Sequence, residues 1–171
     1  WRAAAEEGLC DPPTRRVRAV RVPYKAPTCW DWSEVVQLLE ACQGLPRWHK
    51  CGIRRSAWWS LAIRVAWDTG LRRGDQLRLP VSLVRADGAV SLVQSKTGRP
   101  VAVQLAPSTL EALRESLRLA PRDLATPWPS SHETFDRQFA LIVEKSGVRK
   151  GSWKWLRRAS ATDVEIQYPG S

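Results

Sequence analysis

Hydrophobic residues recur at intervals of three and four along most of the chain, which predicts a mainly helical protein. One helix is predicted by the capping-box pair Asp31 and Glu34, and it ends before the Gly-Leu-Pro turn at 44–46. A second helix ends at Gly70, and a short third helix precedes Pro80. The apolar positions that define the first two of these helices are Val35, Leu38, Leu39, Cys42, Trp58, Leu61, Ala62 and Val65.

Three further helices are predicted in the second half of the chain. The first begins at Pro107-Ser108, where Glu111 completes a capping pattern, and a loop at 121–131 follows it. The second closes near Gly147, and His132 at its start is expected to cap it or to be solvated. The third begins near Trp153, and the indoles of Trp153 and Trp155 are expected to pack in the core as a bulky pair. The apolar positions are Leu110, Leu113, Leu117, Phe135, Phe139 and Ile142.

Between these two groups of helices the pattern changes from helical spacing to alternation. The runs VSLVRA and AVSLVQS flank Asp87-Gly88, a pair typical of a tight hairpin turn. A third run, PVAVQL, follows the SKTGR segment at 95–99. The predicted fold class is therefore mainly α with a small three-stranded antiparallel β-sheet.

The N-terminal part differs from the rest of the chain in its sequence pattern. Residues 1–10 have the pattern of the end of a helix, and the following span contains four prolines, which no regular helix accommodates. We therefore divide the chain into residues 1–27, ending in a basic linker, and a main domain at 28–171. The absence of methionine is interpreted as the mark of a piece of a longer protein.

Charge narrows the possible partners. The 171 residues carry a formal net charge of +10, with arginine far more common than lysine. A polyanion, first of all nucleic acid, is the expected partner, although an arginine-rich proteome would give the same excess. No apolar run approaches the roughly 20 residues of a membrane helix, so no membrane partner is expected.

Candidate metal and nucleotide sites are few. Cys42, His49 and Cys51 lie close in sequence, but their spacing matches no paired zinc finger, so buried or free thiols are favoured over zinc. The phosphate-loop, dinucleotide and zinc-protease motifs do not occur in the sequence. We therefore expect no metal and no cofactor. Because nothing in the cysteine spacing indicates a disulfide framework, we also expect the reducing environment of the cytoplasm.

Three basic motifs carry the remaining chemistry. The first, TGLRRGDQLRL, contains Arg72 and Asp75. The second, SKTGRPVAVQL, contains Lys96, and the third, SWKWLRRASAT, contains Lys154 and Arg157. In this order they resemble the two arginine boxes and the strand-turn-strand lysine of the tyrosine recombinases, also called the phage integrase family.

The resemblance, which covers about residues 28–165, implies a domain that cuts and rejoins DNA through a 3′-phosphotyrosyl intermediate. Arg72 and Arg157 would clamp the scissile phosphate, where guanidinium groups stabilise developing negative charge. Lys96 would donate a proton to the leaving 5′-oxygen, and Lys154 would contact the phosphate. Asp75 would orient one of these side chains by a hydrogen bond.

Further basic residues are candidates for contacts with flanking DNA. Arg73 and Arg158 are neighbours of the proposed clamp, and adjacent helical residues point about 100° apart, so each is expected to be solvated or to contact a flanking phosphate. Arg99 follows the Lys96 turn. The linker residues Arg15, Arg16 and Lys25 are expected either to follow a DNA backbone or to be solvated.

The resemblance also implies partners and a location. These are double-stranded DNA, a homotetramer on paired recombination sites, and a helical DNA-binding domain before the linker. A bacterial or phage protein of the cytoplasm, associated with the nucleoid and with a mobile element, is implied as well.

The chain departs from the family pattern at two places. Histidine usually stands where this chain has Lys154, and lysine mainly donates protons near neutral pH. The family's tyrosine lies well beyond the second arginine box, whereas Tyr168 follows Arg157 too soon and Tyr24 lies in the linker. We therefore expect the C-terminal part to be missing, with the nucleophile beyond Ser171 and the fragment alone inactive.

Two alternatives stay open at this point. One is a non-catalytic DNA-binding protein, a degenerate integrase that has kept its basic face. The other is an RNA-associated domain, which ranks lower because no RNA-module motif occurs in the sequence.

Overall fold

The computed structural model of this chain describes residues 2–10, 28–47 and 49–167. Within them the polypeptide forms seven α-helices, one 3-10 helix and a two-stranded antiparallel sheet. The predicted mainly helical class with a small antiparallel sheet is confirmed for this part of the chain. The predicted linker, with Arg15, Arg16, Tyr24 and Lys25, lies outside the described residues, as does Tyr168.

In the described residues the two-stranded sheet is inserted between the fourth and the fifth α-helix of the chain. The α-helices are α1 (Arg2–Glu6), α2 (Trp32–Gln43), α3 (Arg55–Thr69), α4 (Arg73–Leu77), α5 (Pro107–Leu119), α6 (His132–Ser146) and α7 (Lys154–Gln167). The 3-10 helix is Val81–Leu83, and the strands are β1 (Ala89–Val93) and β2 (Pro100–Gln104). None of the helices in the described ranges is both long enough and apolar enough to cross a membrane.

The start of α2 is capped as predicted. The Glu34 amide donates to Asp31 Oδ1 over 2.9 Å, and the Asp31 amide donates to Glu34 Oε2 over 3.0 Å. Glu34 also accepts from Arg149 Nε over 2.7 Å, and this bond holds the pKa of the carboxyl below its usual range. Because Trp30 Nε1 donates to the Arg149 carbonyl, the start of α2 is fixed to the segment that precedes α7.

Helix α3 is the central element of the fold. It packs against α2, α5, α7 and β2. Its side chains are buried around most of its circumference, as expected for a helix enclosed by others. The buried residues are Trp58, Trp59, Leu61, Ala62, Ile63, Val65, Ala66 and Thr69.

The core has an aromatic half and an aliphatic half on the two sides of α3. The aromatic half includes Trp59 and Phe135, whose ring centroids lie 4.9 Å apart, and Phe139 and Trp153, also 4.9 Å apart. The aliphatic half packs β1 and α5 against α3 through residues such as Leu71. The predicted core position of Trp153 is confirmed, since only 5% of its surface is exposed.

The predicted third strand is wrong. The run after Pro80 begins with the 3-10 helix, and only Val84 pairs with the sheet, through an isolated bridge to Val90. The Val81 amide donates instead to the Asp123 carbonyl over 2.7 Å. The Val84 amide donates to the Val81 carbonyl, so these backbone groups are not available for hydrogen bonds to a neighbouring strand.

The predicted hairpin turn is present, but it joins Val84 to β1 rather than two full strands. Gly88 has a φ of +86°, which favours glycine, and its amide donates to the Arg85 carbonyl over 3.0 Å. Strands β1 and β2 pair in antiparallel register, with Val90 opposite Val103 and Val93 opposite Pro100.

Two helix starts differ from the predicted capping. The N-cap of α5 is Ala106, which makes no side-chain cap, so the pattern of Ser108 and Glu111 is not used as a box. Helix α6 is capped by Ser131, whose hydroxyl accepts from the Thr134 amide over 3.2 Å. His132 is therefore the first residue of the helix and not the cap, and its exposure confirms the solvated alternative.

His49 is a buried imidazole that packs against two indoles. It is 7% exposed, it stacks on Trp58 with ring centroids 4.6 Å apart, and Trp128 lies 5.3 Å away. Its Nδ1 lies 2.9 Å from Cys51 Sγ. Burial, helped by nearby arginines, lowers the pKa of His49 to about 4.

Acid should destabilise the fold through His49. The imidazole has a pKa of about 4 when folded and of 6.5 ordinarily, so the stability it contributes above pH 6.5 is lost as the pH falls towards 4. The full loss is on the order of 3 kcal/mol. Urea unfolding at pH 7 and pH 4.5 checks this, with His49→Gln expected to show the smaller decline. Equal declines in the two proteins would contradict it.

Candidate functional site

A cleft of about 630 Å³ lies where four separate segments meet: the start of α4, the turn between β1 and β2, helix α6 and the start of α7. The residues that line it are Leu71, Arg72, Arg73, Lys96, Asp136, Ser152, Trp153, Lys154 and Arg157. The four residues to which the family resemblance gives catalytic roles, Arg72, Lys96, Lys154 and Arg157, are all among them. Residues more than eighty positions apart in the chain therefore face one cleft.

The end of α3 determines the position of Arg72. Gly70 ends this helix in the left-handed conformation, with a φ of +55°, and its amide donates to the Ala66 carbonyl. Leu71 then turns into the core, where it is 2% exposed. Arg72 follows as the extended N-cap of α4, and its Nη1 donates to Gln94 Oε1 at the end of β1.

Lys96 lies at the exposed tip of the turn between the strands. The turn is closed by hydrogen bonds from the Gln94 amide to the Arg99 carbonyl and from the Gly98 amide to the Gln94 carbonyl, each 2.9 Å long. Gly98 has a φ of +63°, which closes this turn without strain. The backbone is therefore ordered by local bonds, while the ammonium group extends from it towards the cleft.

Asp75 holds this turn against α4. It is 6% exposed, and its Oδ1 accepts from the Ser95 amide over 3.1 Å and from the Ser95 hydroxyl. Asp75 thus binds the residue before Lys96 and not a cationic side chain of the cleft. Its Oδ2 is buried and has no hydrogen-bond partner among the described protein atoms.

Helix α7 supplies the other cations. Lys154 and Arg157 are three residues apart and therefore lie on one face of the helix. Leu156 and Ala159, which are almost fully buried, press the adjacent face into the core and set the rotation of α7. Lys154 is exposed, whereas Arg157 is partly buried.

The two proposed clamp arginines are close enough to repel each other. The pKa of Arg157 is lowered by burial first and by the charge of Arg72 second, while the Asp75 carboxylate opposes both effects. Two guanidinium groups in one partly desolvated cleft are unfavourable unless an anion joins them. The arrangement therefore favours binding of an oxyanion such as a phosphate diester.

The residues expected to contact flanking DNA have different surroundings. Arg73 forms an ion pair with Asp136 and lies 5.3 Å above the Phe135 ring. Arg158 Nη1 donates to the Thr28 carbonyl over 3.4 Å, away from the cleft. Arg99 is exposed beside the Lys96 turn. Their contacts with DNA stay predictions.

Sequence reasoning missed three residues that shape the site: Gln94, Ser95 and Asp136. Each is polar, and although Gln94 and Ser95 end the run AVSLVQS and Ser95 begins the SKTGRPVAVQL motif, none of the three was assigned a role from the sequence. Lys96 identifies the turn in the sequence, but the partners of Gln94 and Ser95 lie at the start of α4 and within it, about twenty positions earlier. No local signal identifies such partners.

The cysteine and histidine group considered for zinc is not a metal centre in the described residues, where no cluster of three or more metal-binding side chains occurs. The four cysteines all lie in the described residues, and none of them is part of a disulfide. Cys42 is fully buried, and burial raises the pKa of its thiol to about 12. It is thus a neutral core residue of α2.

The sequence matches no known family model and no curated protein. The fold, however, is that of the tyrosine recombinase catalytic domain. The lambda integrase catalytic core superimposes with a TM-score of 0.65 at 24% identity, over 83% of this chain and 85% of that one. A lambda integrase tetramer bound to a Holliday junction gives 0.68 at 24% identity, over 99% and 52% of the two chains. XerA recombinase gives 0.67 at 21% identity, over 87% and 54%.

This chain therefore spans only about half the length of the longer recombinases that it resembles. At these identities the likeness establishes the fold. It does not assign the chemistry of individual residues.

Asp75→Ala should loosen the Lys96 turn without unfolding the hairpin. A hydrogen bond to a charged group contributes about 1.5–3 kcal/mol, so exchange of the Ser95 amide proton should be roughly ten- to a hundredfold faster. Hydrogen exchange followed by NMR measures this, with the Leu105 amide at the far end of the hairpin as the unchanged reference. Asp75→Asn, which keeps an acceptor oxygen, should have a smaller effect. An unaltered Ser95 rate in Asp75→Ala would refute the proposed anchoring.

Proposed function

We propose that this chain is the catalytic domain, or most of it, of a site-specific recombinase that cuts and rejoins double-stranded DNA. The observation that carries the proposal is the convergence of Arg72, Lys96, Lys154 and Arg157 on one cleft. Their cationic groups come from three segments that only the folded chain brings together. The recombinase fold supports the proposal but does not by itself imply activity.

The proposed chemistry needs each of these groups at one phosphate. Attack on the phosphodiester places negative charge on the two non-bridging oxygens, where Arg72 and Arg157 would stabilise it from opposite sides. Lys96 would give a proton to the leaving 5′-oxygen. The bond to phosphorus passes from that oxygen to a tyrosine oxygen, and the second transesterification returns it to a 5′-hydroxyl. Bond energy is conserved, so the scheme requires no nucleotide cofactor, and the family resemblance implies no metal.

Lys154 would contribute charge and hydrogen-bond donors but little basicity. An ammonium group near neutral pH has no acceptor, whereas histidine can both donate and accept. Lys154 would therefore bind the phosphate and leave the removal of the tyrosine proton to another group. We propose that the tyrosine itself belongs to a part of the protein beyond residue 171.

Double-stranded DNA and further copies of the protein are the proposed partners. The net charge of +10 favours a polyanion. One structure with this fold is a lambda integrase tetramer bound to a Holliday junction, which supports a tetramer on paired sites. Such a protein would act in the cytoplasm of a bacterium, at the nucleoid or at a mobile element.

Lys154 also keeps a second function open. A degenerate integrase that binds DNA without cutting it would retain the basic cleft and tolerate loss of the histidine. Binding and cleavage therefore need separate experiments.

Arg72→Ala should weaken binding of this chain to duplex DNA about tenfold, equivalent to about 1.4 kcal/mol, because a charged phosphate contact is lost. Fluorescence anisotropy at several salt concentrations measures this, and the salt slope should fall by about one. Arg118→Ala is the matched control, because it removes the same charge from α5, where Arg118 pairs with Glu115. Equal losses in the two variants would reject the cleft as the DNA site.

A longer version of the protein, extended past Ser171, should form a covalent complex with nicked duplex DNA. Arg72→Ala and Arg157→Ala should each abolish the complex in denaturing gels, while Arg118→Ala should retain it. DNA binding without any covalent complex in the extended wild-type protein would favour the non-catalytic alternative.

A further inference from the structure

Arg72 and Arg73, two adjacent arginines at the start of α4, bind partners of different charge. Arg72 Nη1 donates to the neutral amide oxygen of Gln94. Arg73, the next residue, forms its ion pair with the carboxylate of Asp136. Both arginines line the same cleft, so the difference lies in their partners and not in their location.

A neutral partner and a charged partner have opposite effects on phosphate binding. A carboxylate largely cancels the field of the guanidinium and occupies donors that would otherwise contact an oxyanion. An amide oxygen fixes the direction of one N–H and leaves the net charge intact. The guanidinium retains its other donors for a ligand, since arginine has five in a fixed planar arrangement.

Gln94 is itself held in place by the turn that carries Lys96. Its backbone carbonyl accepts from the Gly98 amide over 2.9 Å and from the Thr97 amide over 3.3 Å. The Thr97 hydroxyl donates to the same side-chain oxygen, Oε1, that receives Arg72, over 3.1 Å. The position of the Arg72 guanidinium is therefore tied to the turn of the Lys96 ammonium group.

We propose that Gln94 is a positioning residue, whose neutral side-chain amide aims Arg72 into the cleft and leaves its full charge available to a phosphate. Asp136 has the reverse effect on Arg73, which it neutralises at the rim. This inference rests on the proposed function, because it assumes that Arg72 binds a phosphate of DNA. It adds that the residue at position 94 determines which of the two adjacent arginines binds the phosphate.

Gln94→Glu separates this role from a structural one. The carboxylate has nearly the same shape and forms a stronger bond to Arg72, so the midpoint of urea unfolding should stay the same or rise. Affinity for a duplex DNA probe should nevertheless fall about tenfold, because the new charge competes with phosphate for Arg72. Gln94→Ala, which removes the bond without adding charge, should lower affinity about threefold.

A double-mutant cycle distinguishes competition for Arg72 from general repulsion of DNA. In an Arg72→Ala background, Gln94→Glu and Gln94→Ala should each change DNA affinity less than twofold. Asp136→Asn is the reciprocal variant, and by releasing Arg73 it should raise affinity or leave it unchanged. If the tenfold loss from Gln94→Glu persists without Arg72, or if affinity loss only follows loss of stability, the inference is overturned.

The same measurements separate failure of this inference from failure of the proposed function. If Arg72→Ala alone leaves DNA affinity unchanged, the phosphate clamp is absent and both proposals are rejected. If Arg72→Ala weakens binding and the effects of the Gln94 variants are fully additive with it, only the role of Gln94 is rejected.

Discussion

The site depends on holding Arg72 and Arg157 close together against their mutual repulsion. Burial first and the Arg72 guanidinium second lower the pKa of Arg157, against the opposing effect of the Asp75 carboxylate, so the charge of Arg157 is held in the cleft at a cost in free energy when no anion is present. The rest of the fold must offset this cost. It does so with two rigid supports: the glycine-ended α3, which sends Leu71 into the core and Arg72 into the cleft, and the buried face of α7.

The aromatic half of the core is the support for α7. Trp153 directly precedes this helix and packs against Phe135 and Phe139, so the start of α7 is fixed by large buried rings. Phe135 also lies beneath Arg73 at the rim of the cleft. Core and site therefore share side chains, and a change in the aromatic packing would move the proposed phosphate ligands.

The hairpin that carries Lys96 is attached differently. Its strands pack on the aliphatic half of the core, but the turn itself is held at the site by polar bonds, from Ser95 to Asp75 and from Arg72 to Gln94. Polar anchors of this kind set the direction of a turn while permitting small movements, which burial in a packed core would not. A proton donor that must approach a leaving oxygen benefits from such an attachment. The proposed acid and the proposed clamp would then be linked through α4, although they lie on separate segments.

Local chemistry was sufficient for much of this structure. The sequence alone determined the capping box of α2, the glycine end of α3, the glycine turn before β1 and the order of the basic motifs, because each depends on residues within a few positions of one another. Only the tertiary structure decided that residues 81–83 turn instead of forming a strand, since the Val81 amide has its partner in a distant loop. It also decided the partners of Arg72 and Arg73. Gln94 and Asp136 are distant in sequence, and a hydrogen bond between distant segments leaves no periodic trace in either of them.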